Sequence, residues 1–548
     1  MAINVSSAEF GYPGTPTLFS EVSFKVDTGS HAALIGDNAV GKSTLLKIIA
    51  GQLTAEEGTI SVDGSSRRMP QSIGRRGERL TLRQFLSGLG SREQQEAAAE
   101  LWKATAANEA TGSEETGMRL AHAVADWMDV HGYALEAGWD AATTRVLGQP
   151  LAAAGDRQLS TLSGGERKRL ALEMLFRADV DVLLLDEPDN FLDIPGKRWL
   201  EARIAESKKT ILVISHDREL LSHAVDRIIT VEATGAWVHG GSFATYHEAR
   251  DARNERLGDA LTRWQNEERR LYRYYKTLKQ RAAISEAMAA RADAAETRWK
   301  RFNAAGPPPA PPNEQRVAMK LRGADSGRRV LRCTELELTN LTFPFSFDVH
   351  FGERVAILGA NGTGKSHLIR LLGGEAIVHG GTFKLGARVE PGMFVQTNDR
   401  AGFEGRNAGD PIRRLTGTEE GMMRSLARYG LHGTADQPFA TLSGGQQARL
   451  QILSLELEGV NLLLLDEPTD NLDLISAEAL QSALESFTGT VIAVTHDRWF
   501  MRGFDRFVIF NEDGTVAEAA DYDTALAVVS QSEVAELRPG DLKALSHV

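Results

Sequence analysis

Apolar residues fall in short clean runs along this chain, and the runs alternate with segments of helical spacing. Val182-Leu183-Leu184-Leu185 is typical of them. That is the length of a strand buried on both faces of a parallel sheet, far short of the roughly 18–20 residues that cross a bilayer. Ala32 to Ile35 and Val355 to Leu358 read the same way, and each leads into a helical pattern, Leu45 to Ile49 and Leu368 to Leu372. Between Arg250 and Arg301 the pattern changes. Gly and Pro are scarce, and Leu257, Leu261, Trp264, Leu271, Tyr275 and Leu278 recur at helical spacing. This predicts two antiparallel helices, near 245–281 and 284–303, with a short turn between them. Gly306-Pro307-Pro308-Pro309-Ala310-Pro311-Pro312 follows as a stiff extended spacer. Glu93 to Ala110, rich in Ala, Glu and Gln, predicts a further helix.

The chain repeats itself. Gly36-Asp37-Asn38-Ala39-Val40-Gly41-Lys42-Ser43 returns as Gly359-Ala360-Asn361-Gly362-Thr363-Gly364-Lys365-Ser366. Leu162-Ser163-Gly164-Gly165 returns as Leu442-Ser443-Gly444-Gly445, and Leu185-Asp186-Glu187-Pro188 as Leu465-Asp466-Glu467-Pro468. Ser215-His216-Asp217-Arg218 returns as Thr495-His496-Asp497-Arg498. The spacing from Ser163 to Asp186 is 23 residues, as is that from Ser443 to Asp466; Asp186 to His216 and Asp466 to His496 are both 30. Four motifs in one order, twice, mean two homologous domains. Their expected bounds are 1–245 and 330–548, with a linker over 246–329. One spacing differs: Gln71 lies 92 residues before Ser163, but Gln396 only 47 before Ser443. The first domain therefore carries an insertion near 84–155, expected to be a small helical arm.

The chemistry follows from the repeats. A Gly-x-x-x-x-Gly-Lys-Ser turn between strand and helix offers successive backbone N–H groups and a helix N-terminus to phosphate oxygens. Lys42 and Lys365 would reach the β- and γ-phosphates, while Ser43 and Ser366 would ligate Mg²⁺. Asp186 and Asp466, each closing an apolar strand, would hold the same ion. Glu187 and Glu467 would orient and deprotonate the attacking water. His216 and His496 would contact the γ-phosphate and that water. A serine and two glycines at a helix start form another phosphate cradle, which one domain cannot fold onto its own nucleotide. It must face the nucleotide of a partner domain.

Those serine-glycine elements resemble the signature of ATP-binding-cassette proteins, and the resemblance covers both domains. It implies an α/β fold of two tandem P-loop cassettes joined by an α-helical hairpin linker, with ATP and Mg²⁺ as cofactors. It also implies a head-to-tail sandwich of two nucleotides, formed within a monomer. Lys42 and Glu187 would work with Ser443, Gly444 and Gly445; Lys365 and Glu467 would work with Ser163, Gly164 and Gly165. The remaining loop positions, Gly36 to Gly41 and Gly359 to Gly364, would line the phosphates. Gln71 and Gln396 would touch both nucleotide and Mg²⁺. Tyr12 is the candidate to stack on adenine, whereas the matching stretch Leu341 to Phe345 is shortened and offers no clear equivalent. Three departures stand out. Ala39 replaces a usual glycine, and His367 stands where Thr44 stands in the first loop, putting an α-phosphate contact in doubt. Asp189-Asn190-Phe191-Leu192-Asp193 is a looser version of Thr469-Asp470-Asn471-Leu472-Asp473. Two competent but unequal sites are expected.

Composition changes the picture in two places. The single cysteine, Cys333, excludes an intramolecular disulfide and fits a reducing cytoplasm. The N-terminus lacks the basic start and apolar run of a signal peptide. The net charge of −12 argues against a surface made for nucleic acid everywhere, yet Arg263 to Arg301 carries 11 Lys/Arg against 5 Asp/Glu. Arg269, Arg270, Arg273, Lys276, Lys279 and Arg281 crowd toward the hairpin tip and suit phosphate contacts with rRNA or tRNA. Trp264, Tyr272, Tyr274 and Tyr275 are candidates to stack on bases. Two cassettes joined by a charged hairpin look like the ABC-F proteins. That resemblance implies binding to the tRNA exit site of the ribosome, with the linker toward the peptidyl transferase centre. Family members either tune translation or protect the ribosome from antibiotics, and protection is the expected role. An exporter's ATP-binding subunit, which leaves the basic hairpin without a task, and a DNA-repair ATPase are the alternatives.

Overall fold

A computed structural model describes residues 2–69, 80–282, 288–312, 317–321, 325–394, 403, 405–470 and 472–534, with the side chains of 530–534 left aside. The chain divides into two compact units, Met1–Val238 with Arg316–Val548, and His239–Gln315.

The first unit holds both cassettes. In the first, the strands run Ser66–Arg68, Val182–Asp186, Thr210–Ile214, His31–Ile35, Arg227–Val231 and Ala236–His239 across one sheet. The second repeats this order as Pro391–Phe394, Leu462–Asp466, Thr490–Val494, Arg354–Gly359, Arg506–Phe510 and Val516–Ala519. The next strand of the same sheet after each Gly-Lys-Ser strand, Ser66–Arg68 or Pro391–Phe394, lies at the sheet's edge, so the loop between strand and helix opens at a switch point of the order. Val182–Asp186, Thr210–Ile214 and Leu462–Asp466 are buried along their full length, which is why they read as unbroken apolar runs. Parallel pairing in register, Asp186 with Ile214 and Asp466 with Val494, fixes the acidic pair at the carboxyl edge of each sheet. A three-stranded antiparallel sheet covers each cassette: Thr17–Val26, Ile3–Gly11 and Glu57–Val62 in one, Phe345–His350, Arg329–Leu338 and His379–Leu385 in the other.

Between its fifth strand in sequence and its signature, the first cassette forms the helices Leu82–Gly88, Arg92–Thr111, Glu114–Asp129, Gly132–Leu147 and Leu151–Ala154. Ser91 and Ser113 cap the second and third, each accepting a backbone N–H, so their starts are fixed locally. Trp127 and Trp139 are fully buried with ring centroids 6.0 Å apart. Among the described residues, the second cassette has the α-helices Gly409–Thr416 and Glu419–Arg428 in this stretch.

The cassettes meet along a pseudo-symmetric seam in which equivalent residues are 280 positions apart. Arg218 donates to Gln481 Oε1 at 3.1 Å and faces Asp497 Oδ2 at 3.4 Å. Its counterpart Arg498 donates to both carboxylate oxygens of Glu201, at 3.1 Å to Oε2, and faces Asp217 Oδ1 at 3.5 Å. Gln481 is the counterpart of Glu201, so each arginine reaches the same two positions of the opposite half. Ile194, on the helix Ile194–Glu206, packs into a cluster with Met501, Phe507, Ala525 and Val529 of the second cassette.

The second unit is a hairpin of Tyr246–Ala282 and Ala289–Ala304. Leu278, Ala292 and Ala295 form its apolar centre with Tyr275 and Ala282. Trp264 stacks on Phe302, centroids 5.4 Å apart, and Tyr275 stacks on Trp299 at 5.9 Å. Pairing of early with late residues makes the two helices antiparallel. Trp299 Nε1 also donates to Glu268 at 2.9 Å. These rings correct one expectation: Trp264 and Tyr275 are committed to the hairpin's own packing, because long helices in contact bury aromatics at their crossing side. Tyr272 and Tyr274 remain exposed. Residues 283–287, including most of the expected tip, lie outside the described residues.

Candidate functional site

Each phosphate loop ends where its helix begins. Lys42–Ile49 starts after Gly41 at φ 98°, and Lys365–Leu372 after Gly364 at φ 102°, neither with a side-chain cap. Both helix N-termini therefore present bare N–H groups toward the loop concavity. Lys42 Nζ spans its loop to the carbonyls of Gly36 and Asp37 at 2.7 and 3.0 Å. Lys365 Nζ does the same to Gly359 and Ala360 at 2.8 and 2.7 Å. Burial lowers the pKa of both lysines, and the charges of Glu187 and Asp473 at Lys42, and of Glu467 and Asp193 at Lys365, oppose the shift. Ala39 takes φ 68° where Gly362 takes φ 88°. The loop needs a left-handed residue there, and the first cassette holds alanine in it.

Hard oxygen donors converge beside each lysine. Ser43 Oγ donates to Asp186 Oδ1 at 3.1 Å, and Ser366 Oγ to Asp466 Oδ1 at 3.0 Å. Asp186 Oδ2 is buried without a hydrogen bond and lies 3.9 Å from Arg68 Nη1. Burial raises both aspartates above the usual carboxylate range. A small divalent cation bound with phosphate oxygens fits this donor set, since Mg²⁺ takes one or two carboxylates and completes its shell with substrate and water. Gln71 and Gln396 lie outside the described residues.

The glutamates after the aspartates share a strained backbone. Glu187 sits at φ 48° and Glu467 at φ 45°, a left-handed conformation costly for glutamate. Each N–H is tied to the neighbouring strand, at Ile214 and Val494, both at 2.9 Å. Their side chains differ. Glu467 Oε2 accepts the His496 N–H at 3.0 Å, and Oε1 lies 3.4 Å from His496 Nε2. Glu187 Oε2 instead accepts from Asn190 Nδ2 at 2.8 Å. Burial raises both carboxyls; Asp189 adds to this at Glu187 and Asp470 at Glu467. His216 is pushed down to about 3, and His496 well below its ordinary value, by burial first and by Lys42 or Lys365 second. Both imidazoles are neutral, with Nδ1 unbonded.

The signature of the first cassette meets the phosphate loop of the second. A cavity of about 330 Å³ is lined by Ser163, Gly164 and Gly165 together with Asn361, Gly362, Gly364, Lys365, Ser366, His367, Glu467 and His496. Asn361 Nδ2 donates across it to the Phe191 carbonyl at 3.0 Å. A Cβ on Gly165 would fall 2.8 Å from Phe191 O and 3.2 Å from Asn361 Nδ2, so the approach admits only glycine. At the first loop the described link across the seam is Asp473, whose charge acts on both Lys42 and His216. Ser443 caps its helix through Gln446 N–H, as Ser163 does through Glu166, with Gly444 and Gly445 opening the helix. Tyr12 is 42% exposed and its hydroxyl lies 3.1 Å from Thr44 Oγ1, beside the first loop.

Several residues outside the expected set belong to this neighbourhood. Asp193 and Asp473 cap the helices Ile194–Glu206 and Leu474–Ser486 and point their charge at the opposite lysine. Their recurrence at one place after each Asp-Glu-Pro was the available signal. Asn190, Lys168 and Lys197 were missed because they do not recur in the second half.

On the separate hairpin, Arg269, Arg270, Arg273, Lys276, Lys279 and Arg281 are all exposed. Arg270 pairs with Glu267 at 2.7 Å, and Lys279 Nζ donates to Tyr275 OH at 2.7 Å.

Comparison with known proteins places this geometry. The chain matches the ABC transporter family over residues 19–190 and 343–470. An antibiotic resistance protein of Mycobacteroides abscessus is 47% identical over 95% of this chain and 99% of its own length. The tylosin resistance ATP-binding protein TlrC of Streptomyces fradiae is 31% identical over 92% of this chain and 96% of its own. Among solved structures, the archaeal ribosome recycling factor aABCE1, in complex with the ribosomal stalk protein aP1, shares the fold with a TM-score of 0.57 at 17% identity, covering 95% of this chain and 92% of that one. No helix among the described residues is long and apolar enough to cross a membrane. The chain belongs to the ABC ATPase family, as a twin-cassette protein of its ABC-F branch.

Proposed function

We propose that this protein binds and hydrolyses two ATP molecules at the seam between its cassettes and uses the closing motion to act on the ribosome. In this reading the loops Gly36–Ser43 and Gly359–Ser366 cradle the phosphates through backbone N–H groups, with Lys42 and Lys365 neutralising them. Tyr12 packs against adenine in the first site, and Thr44 and His367 lie beside the α-phosphate. Ser43 with Asp186, and Ser366 with Asp466, hold Mg²⁺; Gln71 and Gln396 complete that contact. Held by these residues, the ion would supply positive charge to offset that of the phosphates. Glu187 and Glu467 take the proton of the attacking water, and their strained backbones fix the carboxylates in place. His216 and His496, neutral at physiological pH, donate toward the γ-phosphate. Ser163, Gly164 and Gly165 close the second site, and Ser443, Gly444 and Gly445 the first, so hydrolysis requires a shut seam.

Six exposed cations on one helix, in a chain of net −12, carry the second half of the proposal. Arg269, Arg270, Arg273, Lys276, Lys279 and Arg281 suit an rRNA or tRNA backbone. With two resistance proteins among the relatives, the hairpin is assigned to the tRNA exit site, reaching toward the peptidyl transferase centre of a cytoplasmic ribosome. The protein works as a monomer and protects the ribosome from an antibiotic.

The test is co-sedimentation with 70S ribosomes of a Glu187→Gln/Glu467→Gln variant in ATP. Retention is expected, falling steeply with salt. Neutralising Arg269, Arg270 and Arg273 should flatten that salt dependence by up to about 0.9 log units per lost phosphate contact. Failure to co-sediment at any salt overturns the ribosomal reading. A drug-susceptibility panel in a host carrying the gene then separates protection from a housekeeping role in translation.

A further inference from the structure

The 280-residue offset exposes a set of charges that one half has and the other lacks. Lys168, Asp189 and Lys197 in the first cassette stand where Ala448, Thr469 and Ala477 stand in the second. All three are buried. Lys168 Nζ donates to the Glu187 carbonyl and sits 5.7 Å from the centre of the Phe191 ring. Lys197 Nζ pairs with Asp217 at 3.1 Å. Asp189 feels the charges of Asp217, Lys197 and Lys168, while its Oδ1 has no hydrogen bond. The three, with Asp217, therefore make a buried cluster of mixed charge that begins beside Glu187 and Phe191 and reaches the second cavity. One end grips the backbone of the first cassette's glutamate. The other end, Lys197, lines the second cassette's cavity together with Asp189, Asp470, Lys365 and Glu467.

We propose that Lys168, Asp189 and Lys197 form a buried bridge that delivers Lys197 as a positioning cation to the second nucleotide site from the opposite cassette, making the two sites unequal. This rests on the reading that ATP occupies the seam. Asp189 alone in an apolar loop would be a costly buried anion, and either lysine alone a costly cation. Together they carry one net positive charge, which Lys197 shares between Asp217, its ion-pair partner at 3.1 Å, and the Asp470 and Glu467 side of the cavity. Ala477 gives the first site nothing comparable. Lys197 acts by holding Asp470 and the Glu467 carboxylate in place and by adding positive potential where phosphate oxygens would gather.

The experiment isolates each site. In a Glu187→Gln background only the second site turns over, and in Glu467→Gln only the first. Lys197→Ala should weaken binding of a fluorescent ATP analogue and lower kcat/KM at the second site by roughly tenfold, the size of one charge contact shared with other carboxylates. The first site should change less than about twofold, and Lys197→Arg should retain most of the effect. The triple variant K168A/D189T/K197A copies the second cassette's neutral set, removes all three charges together, and decides the matter if the single variant is insoluble. It should lower the second site's affinity and rate by a factor similar to that of Lys197→Ala, without loss of Tm. Equal losses at both sites, or an unchanged second site in the triple variant, overturn the proposal. Absence of nucleotide binding in the unmutated chain would instead overturn the ATP reading beneath it.

Discussion

Replacing Arg498 by alanine should open the seam far more than replacing Arg218, although the two arginines are counterparts. Arg498 is buried against Glu201 and Asp217, all three side chains less than 15% exposed. Breaking a buried pair leaves an uncompensated charge and costs about 3–5 kcal/mol. Asp217 keeps Lys197 at 3.1 Å, so the lower end, about 3 kcal/mol, applies. Arg218 faces the neutral Gln481 and the more accessible Asp497, and its loss costs about 1 kcal/mol, the worth of ordinary hydrogen bonds. The closing equilibrium should therefore fall about a hundredfold in Arg498→Ala and about fivefold in Arg218→Ala. Fluorophores on cysteines introduced at the exposed positions Lys208 and Ser486 report closure by energy transfer during ATP titration. The Glu187→Gln/Glu467→Gln background prevents reopening by hydrolysis. Adding Glu201→Gln to Arg498→Ala should recover part of the loss, since the stranded carboxylate is then neutral. Equal shifts for the two arginines, or no recovery in the double variant, refute the electrostatic account.

Three further outcomes are expected. Ala39→Gly relieves a left-handed alanine, worth about 1–2 kcal/mol, against about 0.5–1 kcal/mol of added unfolded-chain entropy; the melting temperature should rise by about 2 °C, and a fall would contradict the strain. Gly165→Ala should hinder closing at the second cavity by about 1–3 kcal/mol through its clash with Phe191 and Asn361, read as a higher ATP requirement in the same energy-transfer assay. Cys333 is buried, and burial pushes its thiol up to about 12. A thiol reagent at pH 8 should leave it unmodified in the native chain and react fully once urea unfolds it; prompt native reaction would disprove the burial.

The fold was legible because its signals are local and doubled. Gly-Lys-Ser, Ser-Gly-Gly and Asp-Glu-Pro each sit at a junction whose flanking apolar run admits one geometry, and the shared spacings force the same sheet twice. The hairpin was legible for a related reason: thirty-odd residues at helical period without proline have few alternatives. What sequence could not show is which partners a side chain chooses at a distance. Trp264 and Tyr275 carry the same composition signal whether they stack on a base or on Phe302 and Trp299. Lys168 and Lys197 were silent because a search for repeats rewards sameness, and their meaning lies in being unmatched. The differing partners of Glu187 and Glu467, Asn190 and a histidine N–H, go with a change at one position of the repeat, Asn190 against Asp470.

Ile194 sets a limit on how the halves can separate. Ionic contacts weaken as salt rises, but the insertion of Ile194 among Met501, Phe507, Ala525 and Val529 is apolar and indifferent to screening. Whatever weakening high ionic strength brings should therefore fall on the arginine latches, which burial shields only in part, and spare this greasy pivot. The cassettes would then swing about one fixed point instead of drifting apart, and would find their register again without a search.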